Sequence, residues 1–144
     1  IDPKYLSGWT LMGHEYLELK NTAAAVEAYR AAVEIDQRDY RAWYALGQIY
    51  ELLQMHHHSL YYYWHTTLLR PNDPRMWTAV ANCLEMAQRH SEAIACLERA
   101  ELFEPTMSEQ YPELVRRIAD FHFNEGHTEQ AVMYYEKLVQ CEQP

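Results

Sequence analysis

Turn-forming residues are scarce in this chain: 144 residues contain four glycines and six prolines. That is too few for an all-β fold, in which turn residues punctuate every short strand. Basic residues are also few, 12 Lys and Arg against 21 Asp and Glu, for a net charge of −9. Such a chain repels phosphate backbones, so nucleic acid is not an expected partner; basic partners are favoured instead. The three cysteines, Cys83, Cys96 and Cys141, are widely spaced and form no CxxC pair. Neither a disulfide framework nor a zinc knuckle is expected, and a reduced intracellular compartment fits. No apolar run reaches membrane-spanning length and no signal peptide is visible, so no membrane partner is expected. The chain also lacks a Ser-His-Asp grouping, a phosphate-cradling glycine loop and a nucleotide fingerprint. No catalytic residue, cofactor or enzyme activity is therefore expected.

What the sequence does contain is a period. Trp9, Trp43 and Trp77 stand 34 residues apart, as do Gly13, Gly47 and Ala81. The columns Ala25–Ser59–Ala93, Tyr29–Tyr63–Leu97 and Ala32–Thr66–Ala100 keep the same step. Each unit reads W-x2-[LMV]-[GA]-x2-[YL], followed by small, aromatic or Leu, and small positions. The Trp and the aliphatic residue three positions on share one face of a first helix. The Gly or Ala beside it lets a second helix approach closely, and small residues on that second helix complete the crossing. Pro71 and Pro105 mark unit ends. Asn21-Thr22, His90-Ser91 and Glu125-Gly126-His127 mark inner turns. Ala119, Ala131 and Tyr135 continue the columns with a step of 38, which puts four extra residues near Ser108–Tyr111; Val115 replaces the Trp.

This pattern resembles the tetratricopeptide repeat. The resemblance implies an all-α tetratricopeptide-repeat superhelix (an α-solenoid) of four stacked helix-turn-helix units. The expected divisions are 1–5 as the tail of a preceding repeat, units at 6–39, 40–73 and 74–107, and an insertion plus a fourth unit at 108–144. The chain begins within a motif and without Met, so a fragment with at least one earlier repeat is expected. Stacked units of this kind leave a groove lined by first helices. The expected lining runs through Ser7, Thr10, His14, Leu17 and Glu18, then Arg41, Tyr44, Gln48, Glu51 and Leu52. It continues through Arg75, Thr78, Asn82, Glu85 and Met86 to Arg116, Asp120 and Asn124. The candidate peptide-binding residues are His14, Glu15, Glu18, Tyr44, Gln48, Glu51, Asn82 and Glu85. Their carboxylates suit Arg or Lys of an extended peptide. Thr10 and His14 stand where the chaperone-tail clamps of this fold use Lys and Asn, which argues against an acidic C-terminal tail as ligand.

Some clusters invite other readings. His56-His57-His58 suggests a metal, but neighbouring side chains on a helix diverge by about 100° and cannot converge on one ion; a polar turn inside the second unit is expected. His14-Glu15-Tyr16-Leu17-Glu18 lacks the second histidine of a zinc-protease helix. In Tyr61-Tyr62-Tyr63-Trp64, Tyr63 belongs to the core column, while Tyr62 and Trp64 are expected against neighbouring units or a partner.

A closer resemblance lies in WTLMGHEYLELKNT, RDYRAWYALGQ, LYYYW and LRPND. These strings resemble the C-terminal repeats of the subunit 8 family of the anaphase-promoting complex, or cyclosome, a scaffold of a cell-cycle ubiquitin ligase. The likeness is dense over 4–77, fades over 78–107 and is weak beyond. His56–Ser59 and Trp64-His65 depart from it. The resemblance implies a non-catalytic subunit of mitosis and cell division, nuclear and cytoplasmic, dimerising through repeats outside this chain. It implies a groove that receives an arginine-containing peptide of a co-activator, alongside other subunits of the complex. Glu15 is then the arginine partner, flanked by His14 and Glu18. The alternative is a tetratricopeptide adaptor of another complex, in transport or beside chaperones.

Overall fold

The computed structural model describes the backbone of residues 3–142 and the side chains of residues 8–142. All regular structure among them is helical: α1 (Pro3–Glu18), α2 (Thr22–Ile35), α3 (Tyr40–Leu52), α4 (His56–Leu69), α5 (Pro74–Met86), α6 (His90–Phe103), α7 (Gln110–Asn124) and α8 (Thr128–Glu142). Each odd-numbered helix packs on the even-numbered one that follows. Residues 1 and 2 of the expected tail lie outside the described residues, and Ser7, expected in the groove, lies outside the described side chains. Helix α1 already begins at Pro3, inside the expected tail.

The chain forms two compact units, residues 1–71 and residues 72–144. In the first, α2 packs on α3; in the second, α6 packs on α7. The core of the first unit holds Ala25, Tyr29, Ala32, Ala42, Leu46 and Ile49, with Trp9, Leu17, Val26 and Val33 packed against it. Trp43 is buried, its indole N–H donating to the Gln37 carbonyl at 3.0 Å and its face stacked on His65 at 4.1 Å. In the second unit Val80, Ala81, Leu97, Val115, Ile118 and Ala119 are buried.

Helix starts have local causes. The Asp39 carboxylate accepts from the Arg41 N–H at 3.2 Å, and the Asp73 carboxylate from the Arg75 N–H at 3.0 Å, with Pro74 opening α5. Each side chain satisfies a donor that the first helical turn leaves unpaired. Asn21 does the same for α2 through the Ala24 N–H. Helix α4 has no side-chain cap, and Met55 precedes it. The three histidines, expected in a turn, instead form the first turn of this helix, and His58 stacks on Tyr50 at 5.2 Å. The inner turn ends at Met55 because Gln54, not a histidine, takes the left-handed conformation there.

That conformation recurs. Lys20, Gln54 and Gln88 have φ of 60°, 60° and 62°, and Gly126 has 80°. The next N–H folds back over each helix end: Asn21 to the Tyr16 carbonyl, Met55 to Tyr50, Arg89 to Leu84 and His127 to His122, at 2.7–2.9 Å. This is the Schellman closure, and it satisfies carbonyls the last turn leaves open.

The four extra residues divide evenly. The connector before α7 spans 104–109 where that before α3 spans 36–39, and α7 has 15 residues where α5 has 13.

Candidate peptide-binding face

One side of each first helix carries a row of polar residues. Tyr44, Gln48 and Glu51 are spaced i, i+4, i+7 on α3 and so share a stripe. Tyr44 is half-buried with its ring 5.3 Å from Tyr63, while Gln48 and Glu51 are exposed. On α5 the same positions are Thr78, Asn82 and Glu85. Asn82 is half-buried. Glu85 accepts from the Arg117 guanidinium of α7 at 2.6 Å, so its charge is balanced within the second unit. Arg75 likewise pairs with Asp73 at 2.7 Å.

On α1 the row is Thr10, His14 and Leu17. His14 is exposed, but its Nδ1 lies 2.9 Å from the hydroxyl of Tyr29 and its ring meets Tyr29 edge-on at 5.6 Å. The imidazole therefore serves the hairpin it stands in. The same contact returns in the last pair, where the Tyr135 hydroxyl donates to Asp120 at 2.6 Å. Burial pushes the Tyr29 hydroxyl up to about 12.

Glu18 is exposed and sits one position beyond the column of Glu51 and Glu85. Glu15 is also exposed, but it is turned about 100° from His14. Its column holds Ile49 and Phe121, which are 0% and 9% exposed. That column is the face through which α3 meets α2 and α7 meets α6. Among the candidates, the first unit thus holds His14, Glu15 and Glu18 on α1 and Tyr44, Gln48 and Glu51 on α3. The second unit holds Asn82 and Glu85 on α5. Glu15 does not share the row of the others.

The sequence reading missed a polar layer in the second unit. Tyr134 of α8 donates to Glu98 of α6 at 3.1 Å, and Lys137 pairs with Glu101 at 2.7 Å. Buried His122 stacks on Tyr134, its Nδ1 lies 3.1 Å from Nδ1 of His127, and its Nε2 stands at ion-pair distance, 3.4 Å, from Glu98. Burial, reinforced by Glu98, pushes the Tyr134 hydroxyl well above its ordinary range. The signal was a polar break in an apolar column: Glu101 stands where α2 has Val33. Among the described residues, no cluster of three or more His, Cys, Asp or Glu is arranged to hold a metal ion. No helix among the described residues is long and apolar enough to cross a membrane.

Comparison with known proteins agrees with this architecture. A TPR repeat family matches residues 13–54, and a tetratricopeptide repeat family matches residues 117–141. A crystal structure of MamA protein superposes with a TM-score of 0.82 at 15% identity, over 98% of this chain and 75% of that one. The fold is the tetratricopeptide-repeat fold. Anaphase-promoting complex subunit 8 of Arabidopsis thaliana is 71% identical over 24 residues, 17% of this chain and 4% of the relative. Anaphase-promoting complex subunit 3 of Schizosaccharomyces pombe is 24% identical over 100 residues, 69% of this chain and 15% of the relative. The chain thus spans only a small part of either relative's length.

Proposed function

We propose that this chain is a non-catalytic protein-interaction scaffold of an anaphase-promoting-type ubiquitin-ligase assembly, whose first-helix rows hold an extended, arginine-containing peptide of a co-activator. The observation that carries the binding role is the Tyr44–Gln48–Glu51 stripe. It presents a ring, an amide and a carboxylate along one face of a tetratricopeptide first helix. The amide can hydrogen-bond a peptide backbone, and the carboxylate can pair with a guanidinium. The tetratricopeptide fold supports a scaffold rather than an enzyme. The short segment shared with subunit 8, and the longer, weaker likeness to subunit 3, support the choice of assembly.

Repeat units at 6–39, 40–73, 74–107 and 108–144 belong to this reading. So do a nuclear and cytoplasmic location and dimerisation of the full-length protein through other repeats. Glu51 and Glu18, both exposed on first helices, are the arginine partners in this reading. Glu15, which the family resemblance favours, lies on a different face and contacts a peptide only if the ligand wraps round α1. Isothermal titration with an arginine-containing co-activator peptide tests the site. Removing one partner of an interfacial charge pair costs about 2–5 kcal/mol when the pair is buried. Glu51→Lys is therefore expected to weaken binding at least tenfold. Unchanged affinity in Glu51→Lys and Glu18→Lys together would remove this face from consideration.

A further inference from the structure

Each inner turn closes in the same way. The N–H of the residue after the left-handed position returns to the carbonyl five residues earlier. The closure therefore brings two residues of fixed spacing together. In the first three pairs these are Tyr16 with Asn21, Tyr50 with Met55, and Leu84 with Arg89. In the last pair they are His122 and His127, joined through the backbone at 2.8 Å. Two imidazoles thus stand at a position where the other turns hold mixed side chains, and their Nδ1 atoms lie 3.1 Å apart.

The surroundings of His122 decide which of its nitrogens is free to bind. The residue is buried in the last turn of α7, and its ring stacks on Tyr134 of α8. Its Nε2 is shut from solvent without a hydrogen-bond partner and stands 3.4 Å from the Glu98 carboxylate of α6. Glu98 is held in turn by the Tyr134 hydroxyl at 3.1 Å. A carboxylate beside Nε2 favours the tautomer with its proton on that nitrogen. His122 Nδ1 then presents a lone pair to Nδ1 of His127. His127 is exposed, so its own proton can sit on Nε2 in contact with water. Two lone pairs converge in that state, and they repel unless a cation stands between them.

We propose that His122 and His127 form a binding site for a divalent transition-metal ion of the zinc class, held through both Nδ1 atoms. Zn–N bonds of about 2.0–2.1 Å put two ligands of a tetrahedral ion about 3.3 Å apart, close to the separation already present. Imidazole suits zinc, copper and nickel alike. The Glu98–His122 contact is the carboxylate–histidine arrangement that orients a ligating ring and raises its basicity. The protein supplies two ligands, and water completes the coordination on the exposed side of His127. A bound ion ties the end of α7 to the start of α8.

Zinc chloride titrated into the whole chain at neutral pH, with NMR of the histidine ring nitrogens, tests the site. The His122 and His127 Nδ1 signals are expected to shift together and to saturate at one equivalent. His127→Ala, at an exposed position, should abolish the response of His122 while circular dichroism stays unchanged. Glu98→Gln keeps an acceptor oxygen for Tyr134 but removes the charge, and should weaken binding about 10–100-fold. The run His56-His57-His58 is an internal comparison. Successive residues on a helix diverge, so these signals should move only at higher zinc. Three results overturn the proposal. One is the absence of a saturable change at His122. Another is a His122 response that persists in His127→Ala. The last is saturation at His56–His58 before His122, which makes zinc an adventitious ion only.

Discussion

The ring of Tyr63 occupies the space that a β-carbon on Gly47 would need: such an atom would lie 2.6 Å from the ring carbons. One repeat earlier, Gly13 and Tyr29 stand in the same relation, again at 2.6 Å. One repeat later the pair is Ala81 and Leu97, both fully buried. The methyl group arrives where the ring has gone. In the last pair Ala119 is buried, and Tyr135 is only half-buried, its hydroxyl on Asp120. The crossing of each helix pair is thus filled by one of two solutions, glycine with tyrosine or alanine with a residue that leaves the spot. The Gly47 carbonyl also accepts from the buried Ser59 hydroxyl at 2.8 Å, which ties the two helices at the same crossing.

Gly47→Ala is therefore expected to destabilise the first unit by about 1–3 kcal/mol, the usual range for overpacking a core. A compensating Tyr63→Leu should recover part of that loss by recreating the Ala81–Leu97 arrangement. Equilibrium urea denaturation of the two single variants and the double variant measures the coupling. Simple additivity of the two losses would mean the ring and the glycine do not compete for space.

The inner turns predict opposite signs at equivalent positions. Lys20, Gln54 and Gln88 hold a left-handed backbone without being glycine, a conformation that costs an L-residue roughly 1–2 kcal/mol. Replacing Gln54 by Gly removes that steric cost but adds chain entropy to the unfolded state. The net expectation is a gain of up to about 1 kcal/mol. Gly126→Ala should lose about 1 kcal/mol by the same reasoning, although a β-carbon there meets nothing. Thermal unfolding followed by circular dichroism reads both changes.

Tyr29 predicts an alkaline limit to the fold. Burial raises its hydroxyl from 10.0 to about 12, while the unfolded chain ionises at the lower value. The unfolded state therefore releases the proton first. The stabilisation is fully present below about pH 10 and is lost as pH rises towards 12. Tyr134 is shifted in the same direction by burial and by Glu98. Tyrosinate absorbance and far-UV circular dichroism should change together across this window. Tyr29→Phe should move the loss of helix to higher pH, at the expense of the bond to His14. Ionisation of all tyrosines near pH 10 with helicity intact would contradict the buried placement.

The sequence was most legible where one side chain satisfies a steric rule by itself. The Trp, Gly and Ala columns announced the hairpins because each residue's size is its function at the crossing, and Asp39 and Asp73 stand at helix starts for equally local reasons. The inner turns were placed from Asn21 and Gly126, yet His90-Ser91 and the histidine run were assigned to turns although both open helices, α6 and α4, because the preceding Gln88 and Gln54 give no sign in sequence of adopting a left-handed backbone. His14, Tyr44, Gln48, Asn82, Glu51 and Glu85 recur at row positions that the 34-residue step makes legible, whereas Glu15 lies off that row and the contacts His14 and Glu85 already make have no sign in the sequence.

The period, the helix pairs and the small-against-large crossings follow from the amino-acid sequence alone, because a 34-residue step returns the same side chain to the same face of the same helix. Which polar groups remain available was decided by the tertiary structure. Packing brings Tyr29 to His14, Arg117 to Glu85 and Glu98 to His122, all partners distant in sequence. It also places Glu15 on the face where the equivalent residues Ile49 and Phe121 are buried. Those pairings depend on distances between helices, and a linear pattern carries no distances.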